Sequence, residues 1–354
     1  GKSSLGLLNM VDASERLQVL LRQEATIYMT SDYLSRMQKG NPLDSEYLAP
    51  TPEDNASSPG TPNKKRKSLS SHNETCPSDP APPGQPSADG SSNSHINKHW
   101  REKICEWAYQ VVDHFDLHRE VVSIAMSHVD RYLASCPTSV DKTFFQLLAM
   151  TCLYLSVKLN EYKHLLIPGS RSSMDTILQL SRGFFTLEQM EKMEYDILQR
   201  LQWHVHPPTP QLFVKHFLFF LSIEEHEVHD LSQFMVELSV MDYFFVSYKP
   251  SEIAIAGILN AIERLQPDLR GRGGFPFHRT MVDINTPEVH ACRERLALIF
   301  AQANDQANNE PMDNPSPKSN RTTSPVSVMS TPQAEVFHYQ AEIMDAEYSD
   351  DEDL

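Results

Sequence analysis

Apolar side chains recur every three or four positions through residues 97–304, which is the spacing of a helix buried on one face. This region contains no convincing alternation of apolar and polar residues, which a half-buried strand would show. The pattern therefore predicts an all-α protein. Turn residues divide the region into predicted helices over 98–115, 119–134, 141–161, 172–180, 187–202, 210–221, 227–244, 252–265 and 287–303.

Hydroxyl residues stand before several of these predicted helices. Thr186, Thr209 and Ser251 each precede a helical pattern. A hydroxyl oxygen at that position can accept a hydrogen bond from the first turn of the helix. We expect all three residues to act as N-caps.

A further amphipathic helix is predicted ahead of this region, over residues 11–38. Leu17, Leu20 and Leu21 lie on one apolar stripe, and Gly40 is placed to end the helix. Because an apolar stripe is stable only when it is covered, this helix needs a partner surface.

Two of the predicted helices carry small residues with the same three-then-four spacing. The sets are Ala149, Cys152 and Ser156 in one helix and Ala254, Gly257 and Ala261 in the other. Small residues on one face let neighbouring backbones approach closely, so each helix is predicted to be the central helix of its own bundle. Such faces are common in helical bundles. The spacing alone therefore fits an internal repeat of two similar domains and a coincidence equally well.

Composition separates the helical region from two polar segments. Residues 41–96 and 305–354 are rich in Pro, Ser, Asn and acidic residues, and they lack the apolar residues that would offset their ordering entropy. We expect a disordered regulatory linker and a disordered acidic tail there. The other segments are predicted to be an N-terminal helix within 1–40 and two helical domains, over 97–206 and 207–304.

Charge and cysteine usage argue against several classes of protein. The formal net charge is −16, whereas a duplex-binding surface needs a field of Lys and Arg. The five cysteines are irregularly spaced, which favours a reducing compartment over a zinc site. Cys105 and Cys152 lie in apolar patterns, where a thiol acts as a small hydrophobic group. The sequence has no apolar stretch of about 18 residues, the length that a membrane span needs. From the charge and from this absence, neither nucleic acid nor a membrane is an expected partner.

No pattern typical of an active site is evident. The sequence has no glycine-rich phosphate loop, no metal-ligand spacing and no nucleophile with a recognisable base. His204 and His206 stand at a helix end before prolines, where a surface or interface role is the simpler interpretation. We therefore expect a protein without catalytic residues, metal or cofactor.

Several blocks of sequence resemble the cyclin family in order and spacing. WREKICEWAYQVV from Trp100, HVDRYLAS from His128, LLAMTCLYLSVKLNE from Leu147 and KMEYDILQRLQWHVHPPTP from Lys192 are similar to the cyclin box. ELSVMDYFFVSYKPSEIAIAGI from Glu237 resembles the second cyclin fold of mitotic A and B and G1 D-type cyclins. The resemblance implies two tandem five-helix cyclin folds preceded by an N-terminal helix.

The same resemblance implies a function and a binding site. The expected function is that of a regulatory subunit that binds and activates a cyclin-dependent serine/threonine protein kinase, as a heterodimer, to control cell-cycle progression. In cyclins a lysine and a glutamate bind kinase backbone, and they match Lys158 and Glu194. The full kinase-binding set is Tyr33, Lys158, Leu159, Glu161, Glu194, Leu198 and Trp203. From the residues alone, pairing of Lys158 with Glu161 one turn on is the favoured interpretation, because solvated helix charges often pair in this way. The resemblance favours the interface instead.

Two further charges lie in apolar patterns and need a partner. Arg101 has Ile104 and Cys105 as helical neighbours, and Asp130 has apolar neighbours of its own. Cyclins have a buried ion pair at the matching positions. We expect a structural Arg101–Asp130 pair, whose disruption would cost about 3–5 kcal/mol.

Many cyclins dock substrates and inhibitors on an apolar patch of the first helix. The matching residues are Trp100, Ile104, Trp107, Phe145 and Gln146. Lys103 introduces a charge there that weakens apolar docking, and Trp107 is also expected in the core.

Control signals are confined to the polar segments. The basic run at 63–67 fits nuclear import, and Thr61 begins a TPNK string that suits a proline-directed kinase. A phosphate on Thr61 would place nearly two negative charges beside the basic run and could mask it. We expect a nuclear protein, shuttling with the cytoplasm, that is phosphorylated at Thr61.

Two other functions use the same fold. A general transcription factor with paired five-helix folds binds promoter DNA and needs a basic face on the second domain, yet residues 223–237 are acidic and rich in histidine. A cyclin-fold scaffold that binds no kinase is the third interpretation.

Overall fold

A computed structural model describes residues 2–39, 96–137, 139–161, 172–221, 223, 225–265 and 280–309. Within these residues the chain forms eleven α-helices, one 3₁₀ helix and no β-strand, which confirms the all-α prediction. Thr61, the basic run at 63–67, nearly all of the predicted linker and the tail beyond 309 lie outside the described residues.

The helices follow one another in the order of the predicted pattern. They are α1 (Lys2–Glu24), α2 (Tyr33–Lys39), α3 (Lys98–His114), α4 (Glu120–Ala134), α5 (Lys142–Asn160), α6 (Ser173–Leu180), α7 (Leu187–Arg200), α8 (Pro210–Leu221), α9 (His226–Met241), the 3₁₀ helix (Tyr243–Ser247), α10 (Pro250–Leu265) and α11 (Pro287–Asn309). The last helix continues to Asn309, beyond the predicted domain end at residue 304.

The first lobe consists of α3 to α7 and is organised around α5, which contacts the other four helices. Ala149, Cys152 and Ser156 are buried on α5, so the predicted small-residue face is confirmed. Asp141 accepts a hydrogen bond from the backbone N–H of Phe144 at 2.7 Å, which begins α5 as an N-cap.

The second lobe is organised around α10, which contacts α8, α9 and α11. A Cβ atom at Gly257 would lie only 3.2 Å from Cγ1 of Val236, so the glycine allows α9 and α10 to pack closely. The described residues of this lobe form four α-helices and the 3₁₀ helix. The predicted helix over 227–244 ends early because Asp242 leaves the helical conformation and caps the 3₁₀ helix through Phe244.

Two of the three predicted N-caps are confirmed. Thr186 accepts from the backbone N–H of Gln189 at 3.2 Å, and Thr209 accepts from that of Leu212 at 3.1 Å. Ser251 was expected to cap α10 itself, but the helix already begins at Pro250. The backbone N–H of Ser251 instead donates to the carboxylate of Glu24 at 2.9 Å, so the end of α1 caps α10.

The N-terminal segment is two helices, and the prediction of one helix over 11–38 is wrong. Residues 25–32, which we call the connector, separate α1 from α2. The Thr26 hydroxyl donates to the carbonyl of Arg22 at 2.8 Å, which competes with helical bonding, and Asp32 caps α2 by accepting from Ser35 N–H. Leu17 then packs in the core of the second lobe and Tyr33 in that of the first. The segment therefore spans both lobes.

Among the residues that the structure describes, no helix has the length and apolar character that crossing a lipid bilayer requires.

Candidate partner-binding face

Lys158 and Glu194 form an ion pair between two helices of the first lobe. The Nζ atom of Lys158, at the end of α5, lies 2.8 Å from Oε1 of Glu194 on α7. This hydrogen bond raises the pKa of Lys158, so the ammonium group is charged at neutral pH. The Lys158 side chain is 49% exposed, which leaves donors free to bind another molecule. The predicted juxtaposition of these two residues is confirmed.

Glu161 binds neither Lys158 nor an open surface; its partner is His118. Its carboxylate accepts from the backbone N–H of His118 at 2.8 Å and lies 3.0 Å from Nδ1 of the His118 ring. The Glu161 side chain is only 1% exposed. Pairing of Lys158 with Glu161 is therefore wrong, and so is direct binding of a partner by the Glu161 side chain, because its carboxylate anchors the chain just before α4.

Apolar residues neighbour Lys158 and Glu194 along their helices. Leu159 follows Lys158 on α5 and is exposed, and Leu198 lies one turn beyond Glu194 on α7 and is partly buried. The exposed Tyr195 lies beside Glu194 and was missed by the sequence analysis. The sequence could have predicted that Tyr195 is exposed, because it lies between the buried Met193 and Ile197 in a helix with one buried face. We call Lys158, Leu159, Glu194, Tyr195, Leu198 and Trp203 the α5–α7 face.

Trp203 is held at the surface by an unusual turn. Gln202 and Trp203 have φ values of 50° and 61°, in the left-handed region that costs a non-glycine residue about 1–2 kcal/mol. The backbone N–H of Trp203 donates to the carbonyl of Leu198 at 2.9 Å, which fixes the turn to the end of α7. The indole is nevertheless 62% exposed. Strained backbone of this kind is concentrated at functional sites.

Arg101 and Asp130 form the predicted buried pair. Nε and Nη2 of Arg101 donate to the two carboxylate oxygens of Asp130 at 2.9 and 2.8 Å, and both side chains are buried. Nη1 of Arg101 donates to the carbonyls of Val240 and Met241 in the second lobe. The pair therefore joins the two lobes.

Tyr33 belongs to this buried cluster, and its predicted place in a partner interface is wrong. Its hydroxyl donates to Oδ1 of Asp130 at 2.8 Å, and the whole residue is inaccessible to solvent. The ring meets that of Tyr243 edge-on, with centroids 5.4 Å apart. Tyr33 thus attaches α2 to the core that holds Arg101.

The predicted docking patch is also wrong for this chain. Ile104, Trp107, Phe145 and Gln146 are buried in the first lobe, where they fill space between helices. Trp100 is largely buried, and the Lys142 ammonium lies 4.6 Å from its ring centroid. An apolar peptide would find no open apolar groove among these five residues.

The described part of the chain offers no cluster of three or more His, Cys, Asp or Glu residues able to hold a metal ion. Cys105 and Cys152 are free and fully buried, as expected of small hydrophobic groups. Burial raises the pKa of the Cys105 thiol to about 12, so that thiol is neutral and unreactive at physiological pH.

Comparison with known proteins places both lobes in one family. The family model described as cyclin, N-terminal domain, matches residues 73–206, and that described as cyclin, C-terminal domain, matches residues 208–324. The G2/mitotic-specific cyclin-2 of Antirrhinum majus is 32% identical over 192 residues, which cover 52% of this chain and 41% of that protein. The putative cyclin-B3-1 of Arabidopsis thaliana is 28% identical, with 48% and 40% covered.

Among solved structures, a viral cyclin from herpesvirus saimiri is similar, with a TM-score of 0.46 and 18% identity, covering 59% of this chain and 89% of that one. The matches span about two fifths of the length of the two plant relatives. Because the two family models together match most of the chain, from residue 73 to residue 324, this protein belongs to the cyclin family.

Proposed function

We propose that this protein is the non-catalytic regulatory subunit of a cyclin-dependent serine/threonine kinase and that it acts in cell-cycle progression. The Lys158–Glu194 pair within the α5–α7 face carries this proposal. Family membership supports kinase binding, and relatives named as G2/mitotic-specific cyclins support a role in the cell cycle.

The chemistry of the face suits a peptide backbone. The Lys158 ammonium has three N–H donors and gives one to Glu194, so it can donate to a carbonyl of the partner. Glu194 retains acceptor positions for a backbone N–H. Leu159, Tyr195 and Trp203 add exposed apolar area next to α5 and α7, and such aromatic anchors concentrate binding energy.

Activation follows from rigidity. Both lobes and the N-terminal segment are joined through the buried Arg101 cluster. Within the first lobe α5 packs against α7, so we expect the α5–α7 face to keep its shape when a partner binds. A kinase that alternates between inactive and active conformations is shifted toward whichever conformation binds this face better. The kinase supplies all of the catalytic groups.

The test compares wild-type protein with a Lys158→Ala, Glu194→Ala variant in affinity purification, followed by a histone-type kinase assay. We expect proline-directed kinase activity with the wild type and a loss of most of it with the variant. An exposed ion pair contributes only about 0–1 kcal/mol to folding, so circular dichroism should show intact helices. Equal activity in both would overturn the site assignment.

Lys215→Ala is the matched control. Lys215 is also about half exposed and lies 2.9 Å from a glutamate, Glu120, but it belongs to the second lobe. We expect this variant to recover as much kinase activity as the wild type. A loss as large as that of the Lys158→Ala, Glu194→Ala variant would show that the assay responds to any surface charge.

The transcription-factor alternative predicts a basic face on the second lobe. The start of α9 instead presents Glu225, His226, Glu227, His229 and Asp230 at the surface. A salt-sensitive shift of duplex DNA by the purified protein would favour that alternative over ours. If the protein binds neither DNA nor any kinase, the scaffold interpretation replaces both.

Nuclear location and phosphorylation are part of the proposal. The basic run at 63–67 supports nuclear import, and Thr61 precedes a proline and a later lysine. Incubation of the purified pair with ATP should label Thr61. If other sites are labelled while Thr61 stays unmodified, the prediction of Thr61 phosphorylation is wrong.

A further inference from the structure

Arg131 differs in its partners from the buried Arg101 and the partly buried Arg119. Arg101 is paired with Asp130 at 2.8 Å, and Arg119 with Glu237 at 2.9 Å. Arg131 is only 7% exposed, yet no described carboxylate lies within ion-pairing distance of it. An uncompensated buried charge is costly to the fold, so its presence needs a reason.

The Arg131 guanidinium contacts a backbone carbonyl and an aromatic ring. Nη2 donates to the carbonyl of His204 at 2.9 Å, and the Tyr28 ring stacks over the guanidinium at 4.7 Å. Nη1 is enclosed and has no hydrogen-bond partner in the described structure. Burial lowers the pKa of Arg131 to about 10, which still leaves it charged at neutral pH. A charged group with an unused donor is suited to an anion.

Tyr28 covers one face of the Arg131 guanidinium. It lies in the connector between α1 and α2, and it is half-buried, whereas Ile27 and Met29 on either side are exposed. Its ring meets that of His204 edge-on, with centroids 6.2 Å apart. The Tyr28 hydroxyl is hydrogen-bonded to the backbone of His206, so moving the ring off the guanidinium breaks that bond. Leu17 and Tyr33 anchor the helices on both sides of the connector.

The site adjoins the α5–α7 face. His204, whose carbonyl binds Arg131, directly follows the exposed Trp203, and the exposed Met29 follows Tyr28. A macromolecule on that face would therefore reach the connector. Nη1 carries two N–H groups, and neither has a partner in the described structure. Two donors suffice for a carboxylate, whereas a phosphate dianion would need more.

We propose that Arg131 receives a carboxylate side chain of the partner kinase, which binds Nη1 when the Tyr28 ring shifts aside. The inference rests on the proposed function. It explains why the chain keeps an unpaired buried arginine, since binding energy gained in the complex offsets a cost to the free protein.

The test uses Arg131→Met in the full chain and the kinase recovered with the wild type. Methionine keeps a long apolar side chain and removes the charge, so the thermal midpoint of the free protein should stay level or rise. The affinity for the kinase should fall at least tenfold, and Arg131→Lys should restore part of it. Arg264→Met is the control, because Arg264 lies over the Phe300 ring at 4.5 Å on the second lobe, and it should bind like the wild type.

Three outcomes would overturn the inference. If Arg131→Met binds the kinase as tightly as the wild type, Arg131 has no role in kinase binding. A lowered thermal midpoint with a proportionate loss of binding would make Arg131 a structural residue. Unchanged kinase affinity, with inorganic phosphate stabilising the wild type but not Arg131→Met, would assign the site to a free anion. Failure of the wild type to bind any kinase would instead refute the proposed function.

Discussion

Arg101 and Asp130 are joined at two points inside the protein, with both carboxylate oxygens bound by guanidinium nitrogens at 2.9 and 2.8 Å. Each partner also has a second task. Arg101 donates hydrogen bonds to backbone carbonyls of the second lobe. Asp130 accepts a hydrogen bond from the hydroxyl of Tyr33 in the N-terminal segment. One ion pair therefore links three parts of the chain.

Asp130→Asn should destabilise the whole protein. The change keeps the shape of the side chain but leaves the Arg101 charge buried without its counter-ion, at a cost of about 3–5 kcal/mol in the free energy of unfolding. Urea denaturation measures this cost. Asp12→Asn is the control, because Asp12 forms an exposed pair with Arg16 at 2.9 Å and should change stability by less than about 1 kcal/mol. Equal effects would contradict the role of the buried pair.

Glu24 should make stability depend on pH in an unusual direction. Its carboxylate is 3% exposed where α1 caps α10, and burial raises its pKa from 4.5 to about 7, with Glu252 nearby adding to this effect and Ser251 and Lys249 opposing it. Between pH 4.5 and 7 the folded protein then binds more protons at Glu24 than the unfolded chain does. Stability from this group is full below pH 4.5 and is lost as the pH rises to 7, by up to about 3 kcal/mol.

Glu24→Gln isolates that effect from other titrating groups. The amide can still accept from Ser251 and does not ionise, so the variant should gain stability relative to wild type as the pH rises from 5 to 8. Thermal denaturation of both proteins at the two pH values measures the difference. A constant difference across this range would show that Glu24 titrates normally.

Gly257 should tolerate no large side chain. A Cβ atom there would lie 3.2 Å from Val236 Cγ1 and 3.6 Å from the carbonyl oxygen of Ser232, so Gly257→Val should lower the free energy of unfolding by about 1–3 kcal/mol through overpacking. Gly257→Ala is the matched comparison. Its helix propensity is better than that of glycine by about 1 kcal/mol, which offsets much of its smaller clash. A Gly257→Val variant as stable as Gly257→Ala would contradict close packing of α9 on α10.

Local pattern was sufficient for much of this fold. The apolar spacing predicted the helices of both lobes, and the small-residue faces predicted that α5 and α10 are central, because helix period and side-chain size are both written in neighbouring residues. The Lys158–Glu194 pair required more. Its two members are 36 positions apart, and the resemblance to cyclins brought them together, whereas spacing alone favoured Glu161 as the partner of Lys158.

Most of the wrong predictions depend on contacts between distant residues. Glu161 was misassigned because its partner, His118, lies 43 positions away. The predicted helix over 11–38 is interrupted because its two ends pack on different lobes, through Leu17 and Tyr33. The spacing of apolar residues does not reveal that one helix has two separate partner surfaces. Residues such as Ile104 and Phe145 have the same apolar character in a docking patch as in a core. Only the packing of the whole lobe distinguishes the two roles.

The turn at Gln202 and Trp203 allows stability to be separated from binding. Both residues have positive φ values, so Trp203→Gly and Gln202→Gly should each leave the protein as stable as the wild type or about 1 kcal/mol more stable. Only Trp203→Gly removes the exposed indole of the α5–α7 face, and it should weaken kinase binding at least tenfold, as expected for a central aromatic anchor. Urea denaturation and affinity measurements on the two variants test this together. If Gln202→Gly weakens binding as strongly as Trp203→Gly, the conformation of the turn, and not the indole, is what the partner requires.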